Sequence, residues 1–190
     1  KSDYESVLTQ MRLSNGHLFP IPIVLDVDKE FSDSLSLGEK ILLRDKEGFK
    51  IAHMTINSIW APDLNREAEL VYMTNDLTHP ALNYMFNIGN KVYIGGKVEK
   101  ISMPNHYDYR KYRISPNKVK NEFINRGWDK IIAFQTRNPL HRAHVEMTLR
   151  SMSELDANLL LHPVVGMTKP GDVDHYTRLR CYKHVIGKYP

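Results

Sequence analysis

IIAFQTRNPLHRAHVEM, Ile131 to Met147, is the stretch that decides how this chain reads. Ile131-Ile132-Ala133-Phe134 has the composition of a short buried strand, and it stops at a polar cluster of Gln135, Thr136, Arg137 and Asn138. Asn-Pro then launches a helical pattern, with Asn138 as the N-cap and Pro139 at the first helical position. Proline also pushes Asn138 out of the helical region, as an N-cap requires. The predicted helix runs from about Pro139 to Ser153, with Val145, Leu149 and Met152 on one stripe. His141 and His144 form an i, i+3 pair on it, roughly 5–6 Å apart at Cβ and on one face. The free N–H groups of such a helix start carry roughly half a positive charge, which makes an anion site. Arg137 adds a planar fork suited to a tetrahedral oxyanion, and Gln135 and Thr136 add neutral donors.

Working outward, the same alternation continues on both sides. NLLLHPVVGM, Asn158 to Met167, reads as a second buried strand. A third helix starts near Asp174, with Leu179, Tyr182, Ile186 and Tyr189 at spacings of three and four. Upstream, Ser115-Pro116 reads as N-cap and first turn, Val119, Phe123 and Ile124 as an apolar face, and Gly127 as the C-terminal cap. Strand, helix, strand, helix predicts a parallel α/β sheet, whose ligands bind outside the carboxyl ends of its strands. QTRNP lies at one such end. TKPGDVD, Thr168 to Asp174, lies at the next, where Lys169 is a secondary candidate to face phosphate or sulfate, joined by Arg178, and Asp174 is a helix cap.

Residues 1–113 read differently. LFPIPIVLDV has strand composition, but Pro20 and Pro22 confine it to an edge or bulged strand. KILLRDKEGFKIAHMTI reads as a hairpin turning at Asp45-Lys46-Glu47-Gly48, and KVYIGGKVEKI as a strand pair or bulged strand broken at Gly95-Gly96. LTHPALNYMF reads as a short helix or irregular segment. The expectation is therefore a β-rich, barrel-like domain over 1–113, followed by an α/β domain over 114–190.

Composition narrows the function classes. The chain has 190 residues, 42% apolar and 25% charged, which suits one domain or two small ones. A net charge of +4 favours anionic partners without separating nucleic acid from phosphate or sulfate. The single cysteine, Cys181, excludes an internal disulfide framework and fits a reducing compartment; within the third helix it reads as a packed, inert thiol. Trp60 and Trp128 read as core, and YRKYRISPNKVK as a solvated linker. No segment approaches the ~18 apolar residues of a membrane span, and KSDYESVLTQ has no apolar signal core. A cytoplasmic protein is expected, or an organellar one after removal of a transit peptide. His-x-x-His without a third ligand does not make a zinc site, so no protein-bound metal is expected. No residue has the context of a covalent nucleophile: Thr136 has a nearby histidine but no activating carboxylate.

QTRNPLHRAHVE resembles the signature of the ATP sulfurylase (sulfate adenylyltransferase) family, and HPVVGMTKPGDVDHYTRLRCY, His162 to Tyr182, resembles its next block. MRLSNGHLFPIPIVLDV, EAELVYMTNDLTHPALNYMF and YIGGKVEKISMPNHYDY are similar to the family's N-terminal domain, a β-rich PUA-like fold. The resemblance implies a PUA-like domain followed by a Rossmann-like nucleotidyltransferase domain. It implies attack of sulfate on the α-phosphorus of MgATP, giving adenosine 5′-phosphosulfate and pyrophosphate, with Mg2+ arriving on ATP. It implies Gln135 and Arg137 as sulfate ligands, and Thr136, Arg137 and Asn138 as the active-site triplet. Gln135, Arg137, Asn138, Pro139, Leu140, His141 and His144 would meet the nucleotide, with His141 and His144 stabilising the transition state. A homo-oligomer without nucleic-acid or membrane partners is expected. The family continues with a Gly-Arg-Asp-His segment and more sheet, and begins before Tyr4, so the chain reads as part of a longer one with little turnover alone. Three alternatives stay open: a His-x-x-His nucleotidyltransferase with another acceptor, an RNA-binding PUA-like module, and a truncated structural paralogue. The RNA reading is weakened by the lack of aromatics interleaved with basic residues.

Overall fold

In the computed structural model, which describes residues 1–165 and 171–190, the chain separates into two units, Lys1–Asn105 and His106–Pro190. Lys169 lies outside the described residues.

The first unit runs α1 (Ser2–Gln10), β1 (Leu25–Val27), α2 (Lys29–Ser34), β2 (Lys40–Arg44), β3 (Lys50–Trp60), α3 (Leu64–Tyr72), α4 (Pro80–Asn83) with a π-helical turn at Tyr84–Ile88, and β4 (Val92–Lys100). The strands form one curled antiparallel sheet in the order β1-β4-β3-β2. The expected hairpin joins β2 and β3: Asp45 Oδ1 accepts from the N–H of Glu47 (3.0 Å) and Phe49 (2.9 Å), while Gly48 takes a φ of +90°. Pro20 and Pro22 fall outside β1, whose three residues pair only with β4, so the proline-marked segment is an edge. β4 is a single strand, and the irregularity beside Gly95-Gly96 is a bulge at Asn57 of β3, since Ile56 faces Gly96 and Ser58 faces Gly95. Glycine is needed there, because a Cβ on Gly96 would stand 1.9 Å from the Thr55 carbonyl oxygen.

Period-2 alternation along β3 sends Ala52, Met54 and Ile56 inward, and Met54, Ile56 and Ile94 form one core cluster. Fully burying a side chain such as Ile56 contributes about 2–3 kcal/mol. A second cluster holds Tyr4, Leu8 and Tyr93, with Trp60 packed on it. Into it projects Glu67, which accepts from the Tyr4 hydroxyl at 2.9 Å and the Tyr93 hydroxyl at 3.2 Å. Burial pushes the Glu67 carboxyl above the usual range, against the pull of the two hydroxyls, and keeps both tyrosines protonated. The sequence reading had no helix at α1 or α3. Asp63, whose carboxylate accepts from Arg66 N–H at 3.0 Å, and Leu64, Ala68 and Val71 on one face of α3 are the overlooked signals.

The second unit runs from a 3-10 turn (Arg110–Tyr112) through α5 (Pro116–Asn125), β5 (Ile131–Thr136), α6 (Arg142–Leu155) and β6 (Asn158–Pro163) to α7 (His175–Ile186). β5 and β6 pair in parallel, from Ile131 opposite Asn158 to Thr136 opposite Pro163, with α6 as the crossover. Ser115 caps α5, accepting from Lys118 N–H, Gly127 follows at a φ of +65°, and Asp174 caps α7 by accepting from Thr177 N–H. Residues 106–113 pack within this unit, beyond the division expected after Arg113. Asp108 accepts from Arg113 at 2.7 Å and pairs with His175 at 3.0 Å, and Tyr109 lies against Tyr176.

Three core assignments change. Ile124 is 74% exposed, leaving Val119 and Phe123 as the sheltered face of α5. On α7, Ile186 is exposed and Val185 joins the cluster of Leu140, Leu179 and Tyr182, so that Leu179, Tyr182 and Val185 form an i, i+3, i+6 series on the helix. Trp128 is half-buried, stacked on Phe123 with Arg126 over its ring, rather than core.

Candidate active site

β5 ends where the polar cluster begins. Gln135 is exposed, in register with His162 of β6, and Thr136 is buried. The Thr136 hydroxyl accepts from Asn138 N–H at 3.1 Å and lies 3.5 Å from the Asn138 carbonyl, so the chain turns on its own side chain here. Asn138 is therefore not the N-cap of α6. The helix starts at Arg142, and His141 occupies the cap position with extended backbone angles (φ −115°, ψ 173°). The reason is tertiary. α7 captures the loop carbonyls: Arg178 Nη1 donates to the Arg137 carbonyl at 2.6 Å, and the Tyr182 hydroxyl donates to the Asn138 carbonyl. Leu140 plunges into the cluster with Leu179 and Tyr182, so only its main chain is left to meet a ligand.

The paired histidines sit on the first turn of α6. Their ring centroids are 3.8 Å apart, and His144 Nδ1 faces the His141 N–H at 3.4 Å. His141 is exposed, while His144 is half-buried against Phe134. Burial, and secondly the neighbouring His141 ring, push the His144 pKa below its ordinary value. Thr148, one turn on, donates to the His144 or Val145 carbonyl at 2.9 Å and meets the Tyr189 hydroxyl at 2.8 Å.

Arg137 projects outward, its side chain 43% exposed, with Nε 3.2 Å from Asp172 Oδ2. The contact is an ion pair without hydrogen-bond alignment, and Asp172 is mostly buried. Arg178 is 1% exposed; beyond the bond to Arg137, its Nε and Nη2 find no partner among the described residues. The structure thus brings Gln135, Thr136, Arg137, Asn138, Pro139, Leu140, His141 and His144 onto one continuous turn, with Arg178 beneath it. Asp172 was not among the residues singled out, and Tyr182 entered only as part of the apolar stripe of the third helix, not as a partner of the turn. Asp172 follows the turn-forming Gly171, and Tyr182 stands four residues from Arg178 on one helix face, a spacing that could have flagged it.

A cavity of about 390 Å³ in this unit lies at the far end of α6, lined by Leu149, Met152 and Pro190. Among the described residues no three His, Cys, Asp or Glu side chains come together as a metal site. From the end of β5 to the first turn of α6 the chain carries one exposed guanidinium, two adjacent imidazoles and a helix start, a set of donors for a multiply charged anion.

Residues 1–103 match the family model described as PUA-like domain, and residues 110–190 the one described as ATP-sulfurylase. Relatives named sulfate adenylyltransferase are 47% identical in Eremothecium gossypii, 46% in Saccharomyces cerevisiae and 44% in Schizosaccharomyces pombe. Each alignment covers 100% of this chain but only 38%, 37% and 39% of those relatives, so the chain spans less than two fifths of their length. A solved structure titled hexameric APS kinase from Thiobacillus denitrificans matches with a TM-score of 0.74 at 29% identity, covering 99% of this chain and 33% of that one. With its first unit matched as PUA-like and its second carrying the signature turn, the chain belongs to the ATP-sulfurylase family.

Proposed function

We propose that the protein containing this chain is a sulfate adenylyltransferase. One observation carries the reading: the QTRN turn and the His141–His144 pair stand together at the carboxyl end of β5, in a chain 44–47% identical to enzymes of that name. Sulfate is fully ionised at neutral pH, so its oxygen needs no general base. A sulfate oxygen forms a bond to the α-phosphorus of ATP as the bond from that phosphorus to the bridging oxygen breaks. The electron pair leaves with pyrophosphate. The obstacle is repulsion between anions, so catalysis is positioning and charge neutralisation.

In this reading Gln135 and Arg137 hold sulfate, and Thr136 shapes the turn. Asn138, Pro139 and the main chain of Leu140 line the nucleotide phosphates, and His141 and His144 donate to the phosphate oxygens as charge develops. With its pKa held down, His144 is a neutral donor, and an arriving polyanion favours its protonation. Mg2+ enters as part of the substrate MgATP. The hexameric structural neighbour supports a homo-oligomer, and the lone Cys181 supports a reducing, cytoplasmic setting. Lys169 remains a second-tier anion ligand by its place in the sequence.

The test is pyrophosphate release from MgATP by the complete polypeptide that carries this sequence. Release is expected only with sulfate, with equimolar formation of adenosine 5′-phosphosulfate. Equal release with and without sulfate, or release with a different acceptor only, would overturn the assignment.

A further inference from the structure

Arg137 is gripped at both ends of its residue, and neither grip is what simple stability calls for. Its carbonyl is held by Arg178, which is 1% exposed and uses one of its five N–H donors in that 2.6 Å bond, leaving Nε and Nη2 without a partner among the described residues. Its guanidinium is approached by Asp172, a mostly buried carboxylate at 3.2 Å whose Oδ2 receives no aligned hydrogen bond. Burying charges with incomplete hydrogen bonding costs several kcal/mol, and a neutral donor would hold a carbonyl at lower cost. The neighbouring carbonyl shows this: Asn138 is held by neutral donors, the Tyr182 hydroxyl and, at 3.5 Å, the Thr136 hydroxyl. Among the described residues, the contacts of the two buried charged groups go to Arg137.

The direction of the grip matters. Asp172 Oδ2 lies 3.2 Å from Nε, and neither Nη1 nor Nη2 of Arg137 makes a hydrogen bond among the described residues, while the side chain stays 43% exposed. A guanidinium anchored through Nε presents its distal edge as a two-pronged donor, the geometry that fits a tetrahedral oxyanion. Two guanidiniums and one carboxylate leave a single surplus positive charge at the turn before any anion arrives.

We propose that Asp172 and Arg178 are positioning residues that aim the free Nη edge of Arg137 at the sulfate position, Asp172 from the side-chain end and Arg178 through the main chain. The assignment rests on the proposed function and deepens it. In this role each acts through Arg137, the only residue the two have in common among their described polar contacts.

Steady-state kinetics of the complete polypeptide carrying the sequence test it, with sulfate and MgATP varied separately. Asp172→Ala is expected to raise KM for sulfate about tenfold, with kcat and KM for ATP within about twofold, because orientation of one bidentate donor is lost. Asp172→Asn keeps an oxygen beside Nε and should recover most of that loss. Arg178→Met should move sulfate KM in the same direction, and Arg178→Lys, which keeps a charged donor, should recover part of it. If Arg178→Met does not fold, the lysine variant and the Asp172 pair decide the matter. An unchanged sulfate KM in Asp172→Ala, or equal rises in both KM values, would overturn the positioning role. A parent protein without sulfate-dependent turnover would instead sink the functional reading, before any variant is made.

Discussion

Each unit buries an ionisable side chain almost completely, Glu67 in the first and Arg178 in the second, and the two are treated in opposite ways. In the first, Glu67 accepts from two tyrosine hydroxyls inside a closed cluster. In the second, Arg178 keeps two guanidinium nitrogens without partners among the described residues, directly beneath the exposed Arg137. A satisfied buried charge belongs to the architecture, whereas a half-satisfied one marks a place where something besides stability was selected. The contrast extends to the cores: among the described residues three clusters support the first unit, while the second closes one cluster around Leu140, Leu179 and Tyr182.

The largest way to sharpen that contrast is Arg137→Ala. It should cut sulfate-dependent kcat/KM on the order of a thousand-fold, by loss of a charge-assisted bidentate donor, while the melting temperature stays within about 2 °C of the parent. A large stability loss with activity retained would break the comparison. Glu67→Ala should do the reverse. Two buried hydroxyls lose their acceptor, and urea denaturation should show the first unit destabilised by about 3 kcal/mol, with kcat per folded molecule unchanged. Gly96→Ala should cost the same unit about 2 kcal/mol, since the new Cβ meets the Thr55 carbonyl and the bulge must shift. A normal denaturation midpoint for that variant would mean the two strands separate without cost.

The smallest expected effect is a pH dependence confined to the second unit. His144 has a folded pKa below its unfolded value of about 6.5, so the unfolded chain takes up that proton first as pH falls. Stability should fall as pH drops from about 6.5 to the lowered folded value, and level off below it. Urea midpoints across that range, compared with those of His144→Gln, should show the slope in the parent alone.

Legibility in the sequence followed the range of the interactions. The β2–β3 hairpin was readable because Asp45 and Gly48 make their turn within five residues. The α5 cap at Ser115 and the α7 cap at Asp174 were readable for the same reason. The order β5, α6, β6, α7 followed from apolar periodicity. α1 and α3 were hidden because SDYESVLTQ and LNREAELVY are polar overall, and their buried stripes gain meaning only against Trp60, Tyr93 and Leu82.

By itself the sequence determined which donors stand together: Gln135, Thr136, Arg137, Asn138, His141 and His144 are near neighbours in the chain, and proximity along the backbone cannot be undone by folding. It also determined that they follow a strand. Only the tertiary structure decided where α6 begins and which way Arg137 is held. Those outcomes depend on Arg178 and Tyr182, which reach the turn from 41 and 44 residues away and outbid the local preference of Asn-Pro for a helix start. A cap contributes about 1 kcal/mol, and two carbonyls captured by a packed helix together with the burial of Leu140 exceed it.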